Sequence, residues 1–94
     1  MIIRIVKMTF KPEMVSEFLM VFEANKKLIA GSEGCTFLEL LNDKNNENTY
    51  FTYSKWDNEK FLEAYRNSAL FEKVWGKTKI LFAEQPEAWT LKQS

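Results

Sequence analysis

The sequence predicts an α+β fold, a ferredoxin-like βαββαβ domain with an antiparallel sheet, from three observations. Stretches of roughly eight β-branched and aromatic residues alternate with longer ones whose apolar side chains recur every three to four positions. A polar run rich in asparagine, Asp43 to Asn48, joins two of the short stretches and leaves no room for a helix between them. The resulting order is strand, helix, hairpin, helix, strand, the split βαβ pattern, in one domain over residues 1–94.

Residues 2 to 10, Ile-Ile-Arg-Ile-Val-Lys-Met-Thr-Phe, read as the first strand, and Pro12 ends its ladder and opens a helix. From Pro12 to about Ala30, the spacing of Val15, Phe18, Leu19, Phe22 and Ile29 gives one apolar face. Glu13 and Glu17 stand early in this helix and Lys26 and Lys27 late, as the helix dipole favours. Gly31 and Gly34 mark its exit, and residues 35 to 42 read as a second strand. The asparagine-rich turn leads to a third strand, Thr49 to Trp56. Asp57 is expected to cap a helix carrying Phe61, Leu62 and Tyr65, and Ser68 to restart it so that Phe71, Val74, Trp75, Thr78 and Phe82 line one stripe. Pro86 closes that region, and Trp89 and Leu91 alternate with polar residues in a short final strand.

Composition narrows the function classes. Thirteen basic and thirteen acidic residues cancel, and neither sign forms a block, so no electrostatic footprint for nucleic acid or an anionic membrane is expected. Arg4 and Lys7 interrupt the first apolar residues, which do not read as a signal peptide, and no stretch approaches the roughly 20 apolar residues of a bilayer span. A cytoplasmic location is expected. Cys35 is the single cysteine, which excludes an intramolecular disulfide and a thiolate metal cluster, and it reads as a small apolar residue at a strand start. The chain has no histidine and 15% aromatic residues, so any acid–base chemistry falls to other groups inside a very aromatic interior.

Two helices cover one face of a four-stranded sheet, and the other face must be polar or find a partner. Here both faces are apolar: Ile2, Val6, Met8 and Phe10 alternate with Ile3 and Ile5, and Phe51 and Tyr53 with Tyr50 and Trp56. The alternation leaves open which set faces the helices. It predicts a homodimer packed through its sheet faces.

The segment from Thr52 to Phe71, which runs from Trp56 through Phe61 and Tyr65 to Ser68, resembles the tryptophan-to-helix motif of the antibiotic biosynthesis monooxygenase (ABM) domain family. Ile5 to Pro12 and the turn Glu33-Gly34-Cys35 extend the resemblance over almost the whole chain. It implies a dimeric α/β barrel and oxygenation of a small reduced aromatic, such as a quinol or anthrone, with no flavin, metal or other cofactor. The sequence departs from the family where quinol-oxidising members carry histidines, positions that fall on Tyr65 and Leu70. The haem-degrading branch's asparagine, tryptophan and histidine fall on Lys7, Tyr65 and Trp75, and none matches.

Tyr65 is therefore the catalytic candidate, a phenol suited to donating a hydrogen bond to a bound quinone or phenolate; its plainer reading is a core side chain with its hydroxyl at the rim. Lys7 is a candidate for favouring a substrate anion and Glu39 for a base with a pKa raised by burial, against a snorkelling lysine and a cross-strand ion pair. Tyr50, Tyr53, Trp56, Trp75 and Trp89 are candidate walls for a flat aromatic ligand, against ordinary core packing. Two functions follow from these readings: a cofactor-independent monooxygenase, or a non-catalytic dimeric protein of the same fold that binds a small ligand or an interaction partner.

Overall fold

Four strands form one antiparallel sheet in the computed structural model, which describes all residues, Met1–Ser94. They are β1 (Ile2–Thr9), β2 (Cys35–Asn42), β3 (Thr49–Trp56) and β4 (Glu87–Lys92), in the order β2-β3-β1-β4. A 3₁₀ turn (Pro12–Met14) leads into α1 (Val15–Ala30), and the second crossover is divided into α2 (Glu59–Arg66) and α3 (Ala69–Lys79). This is the ferredoxin-like arrangement expected from the element order.

The caps explain the division of the second crossover. Asn58, not Asp57, caps α2: its backbone is extended and its side chain accepts the Phe61 N–H at 3.3 Å. Both residue types cap well, and the chain turns one residue later than the sequence suggests. Ser68 restarts the helix as expected, accepting the Phe71 N–H at 3.1 Å while its hydroxyl donates to the Tyr65 carbonyl at 2.6 Å. The first strand stops at Thr9, and Phe10 instead makes an isolated bridge to Phe82.

Pairing register settles which side of each strand faces inward. Arg4 lies opposite Ser54 and Thr90, and Val6 opposite Thr52 and Ala88, all on the helix side. Met8, Phe10, Phe18, Phe22 and Leu81 form the core beneath α1, with Phe10 and Phe18 stacked at 4.1 Å between ring centroids. The odd positions of β1 face away from all three helices. There Ile5 lies between Tyr53 and Trp89, and Phe37, Leu41, Trp89 and Leu91 are each 41–45% exposed. The accessible surface, 6170 Å², exceeds the roughly 5,700 Å² that size scaling gives for a monomer of this mass.

Candidate functional site

A cavity of about 310 Å³ opens between the helix side of the sheet and the α2–α3 segment. Met8, Phe18, Phe22 and Ile29 close its inner end, where core packing stops short of β4. Its walls are aromatic. Trp56, 1% exposed, ends β3 and donates its indole N–H to Ser54 Oγ at 3.0 Å, which fixes the ring plane. Tyr65 stacks on Trp56 at 5.2 Å, Phe71 meets Tyr65 edge-on at 5.3 Å, and Trp75 lies parallel to Phe71 at 5.9 Å. Helical spacing carries this series across the α2–α3 break: Tyr65, Phe71 and Trp75 all project toward the sheet because Ser68 resets the turn between them.

The backbone beneath Trp56 is held by Gly34. Its φ of +82° is the chain's one left-handed backbone conformation, and its carbonyl accepts the Asp57 N–H at 2.8 Å. That bond ties the start of β2 to the corner where β3 becomes α2, so Cys35 pairs with Trp56 directly under Tyr65.

The polar lining is sparse. Arg4 Nη1 donates to Thr90 Oγ1 at 2.6 Å, and Arg66 pairs with Glu63 at 3.1 Å. Burial lowers the Arg4 pKa from its ordinary value, and the nearby Arg66 charge lowers it further against a smaller opposing effect of Glu63. Burial pushes the Tyr65 phenol up to about 12, with repulsion from a Cys35 thiolate adding to it. Tyr65 is thus protonated at neutral pH, a group suited to donating a hydrogen bond and not to accepting a proton. Burial likewise raises the Cys35 thiol, against a smaller opposing effect of its contact with the Phe37 carbonyl. No three His, Cys, Asp or Glu side chains are grouped to hold a metal ion, and no helix is long and apolar enough to cross a membrane.

The raised Tyr65 pKa has a stability consequence. A phenol that titrates near 10 unfolded and about 12 folded holds its proton more tightly in the native state. Its stabilising effect is complete below pH 10 and is lost as the pH rises through 12, amounting to about 2–3 kcal/mol. Urea titrations of the wild type and Tyr65→Phe between pH 9 and 12 should show the wild type losing more stability by that margin; parallel profiles would contradict it.

The sequence candidates separate cleanly. Tyr65, Trp56 and Trp75 come together in the cavity wall. Tyr50 instead packs in the core against Phe10 and Phe18 at 6.2 and 5.6 Å. Lys7, Glu39, Tyr53 and Trp89 lie on the opposite face of the sheet, because odd positions of β1 and their cross-strand partners point away from the helices. Lys7 there pairs with Glu87 at 3.8 Å, and Tyr53 meets Phe37 edge-on at 6.0 Å with Lys55 above both rings. Arg4 and Arg66 line the cavity without having been candidates. Arg4 carries a readable signal, a charged residue in the same alternation as Val6 and Met8.

The family model described as antibiotic biosynthesis monooxygenase matches residues 1–75, which contain β1 to β3, both ends of the Gly34 clamp and the aromatic wall. The chain belongs to the ABM family. Solved structures share its fold at low identity. A conserved protein from Methanosarcina mazei Go1 has a TM-score of 0.93 at 21% identity, covering 99% of this chain and 93% of that one. An antibiotic biosynthesis monooxygenase also gives 0.93, at 13% identity over 100% of this chain and 99% of that one. Rv0793 from Mycobacterium tuberculosis gives 0.91, at 13% identity over 99% and 94%. Comparison with curated proteins finds no match. Within the ABM fold, then, this chain ends β3 with a tryptophan and builds its cavity with a phenol and two guanidinium groups.

Proposed function

We propose that this ABM domain is a cofactor-independent monooxygenase whose cavity binds a small reduced aromatic of the quinol or anthrone type. The supporting observation is the aromatic wall of Trp56, Tyr65, Phe71 and Trp75 around a cavity large enough for a flat ring system, in a chain of this family. An electron-rich phenolate can itself reduce dioxygen. For a quinol, one oxygen atom enters the ring and the other leaves as water, the quinol supplying the electrons and becoming a hydroxyquinone. The protein's part is to exclude water, orient the ring and favour its anion. Tyr65, protonated and aimed at the cavity, donates a hydrogen bond to the oxygen that carries the developing charge.

Oxygen-electrode measurements with a panel of quinols and anthrones test this. Catalysed uptake above the spontaneous rate, unaffected by a chelator, is expected, with Tyr65→Phe lowering kcat/KM by about 10- to 100-fold. Equal rates would remove Tyr65 from the mechanism, and no catalysed uptake by the wild type would reject the enzymatic reading.

A second reading is a non-catalytic ligand-binding protein of the same fold. One observation favours it: the single carboxylate residue bordering the cavity, Glu87, turns its carboxylate to Lys7 on the opposite face of the sheet, which leaves the substrate proton without an acceptor in the lining. Binding of the aromatic panel without oxygen uptake selects this reading. Both readings include a homodimer formed through the exposed sheet face, supported by the apolar side chains of Phe37, Leu41, Trp89 and Leu91 left in water by one chain.

A further inference from the structure

The two cations in the cavity differ in how they are compensated. The chain's two ion pairs are Lys7–Glu87 and Glu63–Arg66, and Arg4 belongs to neither. Its one side-chain partner is a neutral hydroxyl, Thr90 Oγ1. A guanidinium of intermediate burial in a cavity that Val6, Trp56 and Tyr65 also line is less well solvated than one in open water, and an opposite charge beside it is stabilising. Arg66 adds a second positive group to the same cavity, close enough to perturb Arg4, and its own carboxylate partner is exposed. One part of an otherwise apolar cavity therefore carries excess positive charge, next to aromatic walls suited to a ring.

We propose that Arg4, assisted by Arg66, selects an aromatic ligand that carries a carboxylate, the ring lying between Trp56, Tyr65 and Trp75 and the carboxylate meeting the guanidinium of Arg4. The planar fork of arginine matches a carboxylate through two parallel N–H···O bonds, a geometry no neutral substituent reproduces. Thr90 holds one edge of the guanidinium and leaves its remaining N–H groups free to donate. This inference rests on reading the cavity as an aromatic-binding site and adds the ionic group that such a ligand bears.

Quenching of tryptophan fluorescence by 2-naphthoate and by its neutral isostere 2-naphthamide, at pH 7 and low salt, tests the two levels separately. The wild type is expected to bind the carboxylate about 10- to 100-fold more tightly than the amide. In Arg4→Gln that ratio should collapse to about threefold or less, with a smaller fall in Arg66→Gln. Equal affinity of the wild type for both compounds overturns the charge selection and leaves the aromatic site standing. A ratio unchanged in Arg4→Gln removes Arg4 as its source. If neither compound binds, the aromatic-site reading fails and the carboxylate selection fails with it. Should Arg4→Gln not fold, the wild-type ratio and its decline with added salt decide the question.

Discussion

Gly34→Ala is expected to lower the unfolding free energy by about 2–5 kcal/mol, a large part of what a domain of this size possesses. Two separate costs add. At φ +82° an L side chain is in the left-handed region, which costs roughly 1–2 kcal/mol. A Cβ built there would also overlap Phe61, reaching its Cγ, Cβ and Cδ2 atoms at 2.2–2.4 Å. Phe61 Cβ is fixed to the α2 backbone and cannot swing aside as a flexible tip would, so the helix itself must move, at roughly 1–3 kcal/mol. Urea denaturation of the wild type, Gly34→Ala, Phe61→Gly, which removes every overlapping atom, and the double variant separates the two costs. The double variant should recover the overlap cost and retain the backbone cost, giving a favourable coupling between the sites. A loss below about 1 kcal/mol in Gly34→Ala would show that neither constraint is real. Because the Gly34 carbonyl also anchors Asp57, surviving folded protein should show altered ligand quenching at the neighbouring Trp56.

Trp89→Asp is expected to convert the proposed homodimer to a monomer while leaving the fold intact. Trp89 stands on the edge strand β4, 41% exposed and directly opposite Ile5, so a single chain loses little by the change. In a sheet-against-sheet dimer the same change buries a carboxylate beside Ile5, at several kcal/mol, or about a thousandfold or more in dimer affinity. Sedimentation equilibrium at micromolar concentration should give about twice 11.1 kDa for the wild type and about 11 kDa for the variant, with unchanged far-UV circular dichroism. A wild-type mass near 11 kDa would reject the dimer outright. A variant that stays dimeric would place the interface elsewhere.

Much of the fold is legible because its signals are local. Pro12, Ser68 and the asparagine-rich turn act within a few residues, and the period of Phe71, Val74, Trp75 and Thr78 marks a helix with one face inward. The Asp57 to Asn58 shift is a one-residue ambiguity between two good capping types. The site is less legible for a specific reason. Both alternations of β1 are apolar, so local pattern cannot say whether Lys7 or Arg4 points to the helices; pairing register and helix placement decide it. That single ambiguity sends Lys7, Glu39, Tyr53 and Trp89 to the opposite face. Tyr65, Trp56 and Trp75 are less exposed to it, being placed by a strand end and by helical spacing.

The central strand has two independent audiences. Arg4 and Val6 address the cavity, while Ile3 and Ile5, one peptide unit away, address the outer face of the sheet. Exchanging residues of one parity leaves the other parity's chemistry in place, because the pleat isolates neighbours that are adjacent in the chain. Lineages of this fold can therefore retune what they recognise without dissolving how they assemble, and drift in assembly need not erase recognition. A library randomised at Arg4, Val6 and Thr52 alone should yield folded proteins with altered ligand preference and one shared oligomeric state.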